Sequence, residues 1–428
     1  DPCWSGRAFV REQRSISLLR FGAGETGEVA GELPGYRFDD VTIKEVAELR
    51  LPVEDLAAAG RALVLTRPDA AVPAGARDAR SGATVEWREA VGQAELIDVE
   101  PVFSRVPTAT MADVVTWLGG ALGGDRHWLT GPTRSAGTTV LAEGDQHIVE
   151  RCRRLGPLGL FGIETAPFGD DAKGPVIVMS NSGIDSHVGP NRLWVDLARQ
   201  LAARGLRSIR FDLSGLGDSP ARPGQRTRLS YAPESLADIG DVAAAASPED
   251  PGNVVLVGLC SSAYLSLEGA LQLLPRGVAA INPIFRFSPP EMAEGPMDRR
   301  RRICRPLTSA VRVFRAIPFA ALRDRLHSLA WRMANRAAGS RAPDNWMHEL
   351  TAAGVDVFCI GGENELQPLL EVDREATRCR IDVMPGLDHA LLYSPDRDQV
   401  ATALLEHLAD KFAPAPRVAT SSLMGGGQ

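Results

Sequence analysis

The sequence lacks long apolar runs: nowhere in its 428 residues do about 18 apolar residues follow one another without a charge. A membrane-spanning helix needs about 20 such residues, so a helical membrane protein is excluded. With 44% hydrophobic and 24% charged residues, the composition is close to that of an average soluble globular protein. Disordered, collagen-like and disulfide-scaffold proteins are excluded as well.

Cysteine is scarce, at six residues, and no two of them are spaced as a C-x-x-C pair or as metal ligands. A chain of this length can bury a core without disulfides. We therefore expect reduced thiols, a cytoplasmic location and no metal site. The first residues, from Asp1 onward, also lack the apolar segment of a secretory signal peptide.

Positive charge is limited too, because 47 lysines and arginines stand against 54 acidic residues and give a formal net charge of −7 at pH 7. That balance favours solubility and argues against a dedicated nucleic-acid binder. Gly215 and Gly217 belong to a turn and not to a dinucleotide fingerprint, because the third glycine and the acidic partner are wrongly placed. We therefore expect no nucleic acid, no membrane and no cofactor as partners.

From Val176 onward, short apolar runs alternate with amphipathic helical segments. The runs Val176–Ser180, Ser208–Phe211, Asn253–Val257 and Val278–Ile281 are typical of strands buried on both faces of a sheet. Strands that alternate with helices through short joints indicate βαβ units. The predicted fold class is α/β, with a doubly wound, mostly parallel sheet.

The predicted organisation has three parts. Residues 1–144 form a smaller N-terminal α/β segment, which has no Gly-x-Ser-x-Gly or Gly-x-Cys-x-Gly turn and is predicted to be non-catalytic. Residues 145–413 form the catalytic domain, interrupted at 284–350 by an arginine-rich stretch that we predict to be a helical lid. Residues 414–428 are small and polar, and we predict a flexible tail there.

The sharpest local signal is Val257–Ala263, where a strand turns abruptly into a helix. A nucleophile elbow has this form: small residues surround a central nucleophile, and the following helix N-terminus stabilises a thiolate and an oxyanion. Cys260 stands in the nucleophile position, and Ser262 stands where a second glycine is usual. Taken alone, the pattern fits a buried core thiol better than a nucleophile.

The rest of the chain supplies the partners that such a nucleophile needs, in the order nucleophile, acid, histidine. A later predicted strand, ending at Ile360, is followed by Glu363 and Glu365, and the last predicted strand is followed by His389. The predicted triad is Cys260, His389 and Glu365, with Glu363 as the alternative acid. A surface position is the competing interpretation for His389 and for Glu365.

Residues from about Leu155 to Phe412 resemble an α/β-hydrolase of the serine aminopeptidase-like group. The resemblance is carried by the elbow, by the turn Phe211–Ser219 (FDLSGLGDS) and by the loop Asn181–Arg192 (NSGIDSHVGPNR). This loop is similar to one in exosortase-associated bacterial hydrolases, which also share the Gly-Leu-Cys-Ser form of the elbow. The resemblance is specific for the fold and not for the substrate.

The resemblance implies an oxyanion hole formed by the backbone amide of Ser261 with that of Gly183 or Ser182. Each such donor typically stabilises the transition state by about 3 kcal/mol. This sequence departs from the family pattern in two ways. Asn181 and Ser182 replace a common His-Gly pair, and the acid is glutamate rather than aspartate.

Three side chains of the same loop are predicted to contact substrate: Asn181, His187 and Arg192. Arg192 could hold a carboxylate or a phosphate, and capping of the next helix is an equal alternative. Arg299–Arg302 and Arg305, in the predicted lid, are interpreted as a solvated face. Docking of a phosphate or of an acidic carrier is the alternative for these arginines.

The predicted function is acyl transfer through an acyl-thioester on Cys260, from a CoA or carrier-protein thioester (or an ester) to an acceptor in a biosynthetic pathway. Cysteine favours transfer, since a thioester reacts better with amines and thiols than with water. Hydrolysis of an ester, thioester or lactone by the same triad is one alternative, and a catalytically degenerate scaffold is another. The sequence is also compatible with a homo-oligomer.

Overall fold

The structure is a computed structural model. It describes residues 3–25, 32–33, 35–51, 61–67, 85–97, 104–121, 137–144, 146–169, 174–225, 230–232, 234–283, 343–370 and 379–413. Most of the predicted lid (284–342), including its arginines, lies outside the described residues, and so does the predicted tail at 414–428.

The chain divides into two compact units, one formed by residues 1–134 with 392–394 and the other by residues 135–391 with 395–428. This division comes earlier than the predicted boundary at 144. The physical reason is the strand Thr138–Glu143, which pairs along its length with the next strand in the sheet of the larger unit.

The smaller unit has the predicted α/β character. One of its two sheets is a parallel pair of strands followed by helices, and the other is an antiparallel pair of very short strands. In chain order its elements are α1 (Gly6–Glu25), β1 (Glu32–Leu33), β2 (Tyr36–Arg37), α2 (Asp40–Glu48), β3 (Ala62–Thr66), β4 (Val85–Glu89), α3 (Gln93–Ile97) and α4 (Thr108–Ala121).

The larger unit is built on a mixed sheet, which has nine strands within the described residues. Their spatial order is β13-β12-β11-β10-β8-β9-β7-β6-β5. Strands β8 to β13 are parallel to one another, and β5 to β7 form an antiparallel extension at one edge. The predicted doubly wound, mostly parallel sheet is confirmed. The strands are β5 (Thr138–Glu143), β6 (Gln146–Leu155), β7 (Leu160–Pro167), β8 (Val176–Ser180), β9 (Ser208–Phe211), β10 (Val254–Leu259), β11 (Gly277–Ile281), β12 (Asp356–Gly361) and β13 (Arg380–Val383).

Helices cover both faces of this sheet, which explains the continuous apolar runs of its strands. In β8, Val176 and Val178 join one buried cluster, and the alternating residues Ile177 and Met179 join the other. None of the helices in the described part combines the length and the apolarity that a membrane crossing needs. The helices are α5 (Leu193–Ala203), α6 (Ser235–Ala246), α7 (Ser261–Leu273), α8 (Pro343–Ala352), α9 (Glu363–Leu370) and α10 (Ser394–Phe412).

The end of the predicted lid differs from the structure. Residues 343–350 begin α8, and Trp346, Met347 and Leu350 are buried in the same apolar cluster as the central strands. These residues belong to the core on one face of the sheet. The strand–helix pattern therefore resumes before residue 350, where the sequence prediction placed the end of the lid.

A buried carboxylate fixes the loop after β9 to α6. Asp238 is fully buried and accepts hydrogen bonds from the backbone N–H and the hydroxyl of Ser214, at 2.8 and 2.6 Å. It also accepts two from the guanidinium of Arg222, at 3.0 and 2.6 Å. Arg222 reaches Asp241 as well, at 2.9 Å. The loop is thus held by one carboxylate that satisfies both backbone and side-chain donors.

Asp238→Ala is expected to lower the free energy of unfolding by about 3 to 5 kcal/mol, because it leaves the Arg222 guanidinium and the Ser214 donors without their buried partner. Asp241→Ala is the matched control, since that carboxylate is 28% exposed and its loss is expected to cost less than about 1 kcal/mol. Urea denaturation followed by circular dichroism measures both. Equal losses would contradict the assignment.

Candidate active site

Cys260 lies at the sharp turn between β10 and α7. Its backbone has φ 59° and ψ −114°, a region that residues with side chains rarely adopt. A side chain at Gly258 would collide with the backbone of Ser262 and would stand 2.6 Å from the nitrogen of Ala263. Only glycine therefore fits at Gly258, and the turn has the form expected of a nucleophile elbow.

Ser262 replaces the usual second glycine without breaking the turn. Its fully buried hydroxyl accepts the N–H of Leu259 at 2.9 Å and lies 3.0 Å from the carbonyl oxygen of the same residue, to which it donates. The hydroxyl thereby satisfies backbone groups that a tight turn leaves without a ladder partner. The substitution is a local reinforcement of the elbow.

His389 lies in the loop after β13, and its Nδ1 is 3.4 Å from Oε1 of Glu365. Both side chains are partly exposed, at 35% and 21%. Glu363 is exposed at the start of α9, so Glu365 is the glutamate beside the histidine. The carboxylate of Glu365 lies close to Gly362, where a side chain would come within 2.6 Å of Oε2.

Asn282 joins three loops at this edge of the sheet, and the sequence analysis missed it. The residue is fully buried and has φ 44°. Its backbone N–H donates to the carbonyl of Ile360 at 2.9 Å, its Oδ1 accepts the N–H of Gly362 at 3.0 Å, and its Nδ2 donates to the carbonyl of His389 at 3.1 Å. Its side-chain amide therefore fixes the loop after β12, which leads to Glu365 (the acid loop), and the loop after β13, which carries His389 (the histidine loop).

The elbow is hydrogen-bonded to the residue that precedes Asn282. The N–H of Cys260 donates to the carbonyl of Ile281 at 2.9 Å, and Asn282 is the next residue. A short path of hydrogen bonds thus connects the backbone of Cys260 with that of His389. The signal in the sequence was an asparagine directly after an apolar strand, but nothing in the pattern indicates what its amide contacts.

The predicted oxyanion residues come together beside the elbow. Ser261 begins α7, so its N–H has no partner within the helix and lies at the positive end of the helix dipole. The N–H of Gly183 donates to Oγ of Ser261 at 2.8 Å, and Oγ of Ser182 donates to the carbonyl of Leu259 at 2.9 Å. The loop after β8 is therefore bound to the elbow, with the Gly183 amide engaged by the neighbouring hydroxyl.

Asn181 braces this loop, and its role as a substrate contact stays a prediction. The side chain is buried, its Nδ2 donates to the carbonyl of Asp185 at 3.0 Å, and its Oδ1 accepts the N–H of Leu213 at 2.8 Å. Both ends of the amide are used to join the loops after β8 and β9.

His187 is likewise engaged within the fold, and its role as a substrate contact stays a prediction. It is buried, its Nδ1 lies 2.9 Å from Oδ2 of Asp212, and its backbone N–H donates to Oδ1 at 2.5 Å. Its ring packs edge-on against the ring of Phe161, with 4.9 Å between the ring centroids. His187, Asp212 and Asp218 lie close enough together to hold a cation, but both oxygens of the Asp212 carboxylate already accept hydrogen bonds, from His187 and from the backbone N–H of Asp218.

Arg192 stands at the start of α5 with φ 69°, and one guanidinium nitrogen is 3.2 Å from Oδ1 of Asp196. Both side chains are more than half exposed. The structure thus places Arg192 at the helix start, paired with a carboxylate one turn later. A role in binding substrate stays a prediction.

Comparison with known proteins gives a match between residues 176–403 and the family model described as "Alpha/beta hydrolase family". No curated protein matches. An α/β serine hydrolase without a lid from Xanthomonas campestris is 17% identical, covers 67% of this chain and 98% of its own, and has a TM-score of 0.38. Est1E from Butyrivibrio proteoclasticus, solved with ferulic acid, is 14% identical, covers 61% and 98%, and scores 0.39. The family assignment rests on the family model, because the TM-scores of the solved structures are low.

Iodoacetamide is expected to label Cys260 ahead of the other described cysteines at mildly acidic pH. Cys260 is partly exposed at a helix N-terminus, whereas Cys359 and Cys379 are buried and burial raises the pKa of the Cys359 thiol. Peptide mass spectrometry gives each labelling rate. His389→Ala should slow labelling of Cys260 and leave that of the exposed Cys3 unchanged. Preferential labelling of Cys3 in the unmodified protein would contradict this expectation.

Proposed function

The chain belongs to the alpha/beta hydrolase family, and from that premise we propose that it is an acyl-transfer enzyme with Cys260 as its nucleophile. The observation that carries the proposal is the backbone of Cys260, at φ 59° and ψ −114°. Holding a residue with a side chain in such a region costs about 1 to 3 kcal/mol, and glycine would avoid that strain. A cysteine in this strained position supports a role for its sulfur, which argues against the scaffold alternative.

The proposed base is His389, oriented by Glu365. Because Nδ1 of the histidine faces the glutamate at 3.4 Å, Nε2 is the nitrogen left for proton transfer. This division of the two ring nitrogens is the one that catalytic triads use. The partial exposure of both side chains supports access of a substrate to this pair.

The proposed reaction has two halves. In the first, Nε2 of His389 takes the proton of the Cys260 thiol, the sulfur attacks the acyl carbonyl, and the leaving thiol or alcohol departs with the proton from the histidine. In the second, the histidine takes a proton from the acceptor, which attacks the thioester carbonyl and displaces the sulfur. The proton returns to Cys260, and the acyl group ends on the acceptor.

Stabilisation of the oxyanion is assigned to Ser261 in a way that the sequence analysis did not foresee. The amide of Gly183 donates to Oγ of Ser261 at 2.8 Å, which occupies an acceptor site of this hydroxyl and leaves its hydrogen free to donate. The backbone N–H and the hydroxyl of Ser261 then act together on the developing charge. The N–H of Gly183 holds the hydroxyl in place through its hydrogen bond.

Hydrolysis by the same groups is the second candidate function, and the family match favours it. Transfer and hydrolysis share the acyl-thioester and differ only in the acceptor. A CoA or carrier-protein thioester is the proposed donor, since exchange between two thioesters is close to balanced in free energy. The competition between an amine or thiol and water decides between the two functions.

Incubation with a panel of acyl-CoA thioesters is expected to add the mass of one acyl group to the protein at Cys260, as read by intact-mass and peptide mass spectrometry. Cys260→Ala should remove both the adduct and turnover, and Cys152→Ala, which removes a partly exposed thiol on β6, should retain both. Cys260→Ser is expected to keep hydrolysis but to lower the ratio of transfer to hydrolysis. Unchanged turnover in Cys260→Ala would overturn the proposal.

Ser261→Ala tests whether the oxyanion hole uses the Ser261 hydroxyl or the backbone amides of Gly183 and Ser261. If the hydroxyl donates, kcat is expected to fall at least about tenfold with KM little changed, and Ser261→Thr should recover most of the loss. If Gly183 and Ser261 act through their amides alone, Ser261→Ala releases the Gly183 N–H, and kcat should stay equal or rise. Steady-state kinetics on an activated ester distinguishes the two directions.

A further inference from the structure

A groove between α1 and α2 of the smaller unit is not used by the proposed function. Its volume is about 490 Å³, within the range of small-molecule sites. It is lined by Arg7, Val10, Arg11, Arg14, Ser15, Leu18, Asp40, Ile43, Lys44 and Ala47.

The lining is strongly basic. Arg7, Arg11 and Arg14 follow the helical spacing i, i+4 and i+7 and form one stripe along α1, and Lys44 comes from α2. Asp40 is the carboxylate among the lining residues, so the groove carries an excess of three positive charges. This excess belongs to a chain whose own net charge is −7.

These four cations lack internal partners in the part of the chain that the structure describes, where no ion pair involves them. Many arginines elsewhere are paired, among them Arg199 with Glu150 and Arg222 with Asp238. All four of the groove's cations are exposed. Their charge is therefore available to a ligand.

The arrangement is unfavourable for the helix by itself. Like charges at i, i+4 destabilise a helix, and Arg7 lies in the first turn of α1, where the dipole disfavours cations and no acidic residue compensates. Sequences break such local rules mainly at functional sites. A bound anion would offset both the repulsion between the arginines and the unfavourable interaction of Arg7 with the helix dipole.

The walls of the groove are fixed by contacts that do not involve its cations. The two helices touch at Gly6, whose N–H donates to the carbonyl of Leu49 at 2.9 Å and where a side chain would strike the backbone of Val46. Farther along α1, the buried hydroxyl of Ser17 donates to the carbonyl of Glu32 at 3.2 Å. Val10 is buried and gives the groove an apolar floor.

We propose that this groove binds a diphosphate group. Arg7 and Arg14 are separated by about 10 Å along the helix axis, which is too far for one phosphate to reach the whole stripe and suits two linked phosphoryl groups. The excess of three positive charges is close to the charge of a diphosphate, and arginine binds phosphate oxygens through paired N–H donors. The diphosphate can be inorganic or part of an organic ester, whose apolar portion would rest on Val10.

Isothermal titration calorimetry on the full chain with inorganic pyrophosphate, ADP and adenosine tests the proposal. Pyrophosphate is expected to bind and adenosine not to bind. Arg11→Gln should weaken pyrophosphate binding about tenfold, and Arg11→Lys should weaken it too, because lysine keeps the charge but loses the paired donors. Arg37→Gln, which removes an exposed cation on β2 outside the groove, should leave the affinity unchanged.

Tighter binding of ADP than of pyrophosphate assigns the site to an organic diphosphate, and equal or weaker binding assigns it to the inorganic ion. Absence of pyrophosphate binding, or equal weakening by Arg11→Gln and Arg37→Gln, would overturn the proposal. Unchanged affinity for pyrophosphate in Arg11→Lys would overturn it as well. Such a result would mean that positive charge alone attracts the ligand, without the paired donors of arginine. The proposal is independent of the proposed function, so Cys260→Ala should bind pyrophosphate normally.

Discussion

The close approach of Gly258 to the backbone of Ser262 is the constraint on which the candidate site depends. It brings the start of α7 against the end of β10, and Cys260 between them must then adopt its strained backbone. The same turn aims the N-terminus of α7 at the edge where the parallel strands end. Cys260, Ser261 and the loop that carries His389 can share this edge only because these strands run in one direction.

The parallel part of the fold was predictable from sequence because its strands are buried on both faces and appear as unbroken apolar runs. Val176–Ser180 and Ser208–Phe211 were placed with the bounds that the structure has. The antiparallel strands at the sheet edge were not recognised. Thr138–Glu143 and Gln146–Leu155 expose many of their residues, so charged side chains interrupt the apolar pattern, and the predicted domain boundary fell between them.

In the site, chain order led to the prediction of Cys260, His389 and a glutamate as a triad, because the α/β-hydrolase fold dictates that order. The choice of Glu365 over Glu363 needed the structure, because only the structure shows Glu365 beside Nδ1 of His389 and Glu363 exposed. Polar loop residues were the least predictable. Sequence shows that Asn181 is polar, but whether it meets a substrate or a neighbouring loop depends on residues distant in the chain. Asn282 was missed for the same reason.

The amide of Asn282 has a further consequence for the chemical durability of the protein. Asparagine side chains deamidate when the backbone nitrogen of the following residue attacks them, and that reaction would place a new carboxylate between the acid loop and the histidine loop. The following residue here is Pro283, which has no backbone N–H. The ageing reaction that would damage this junction is therefore blocked by its neighbour in the chain.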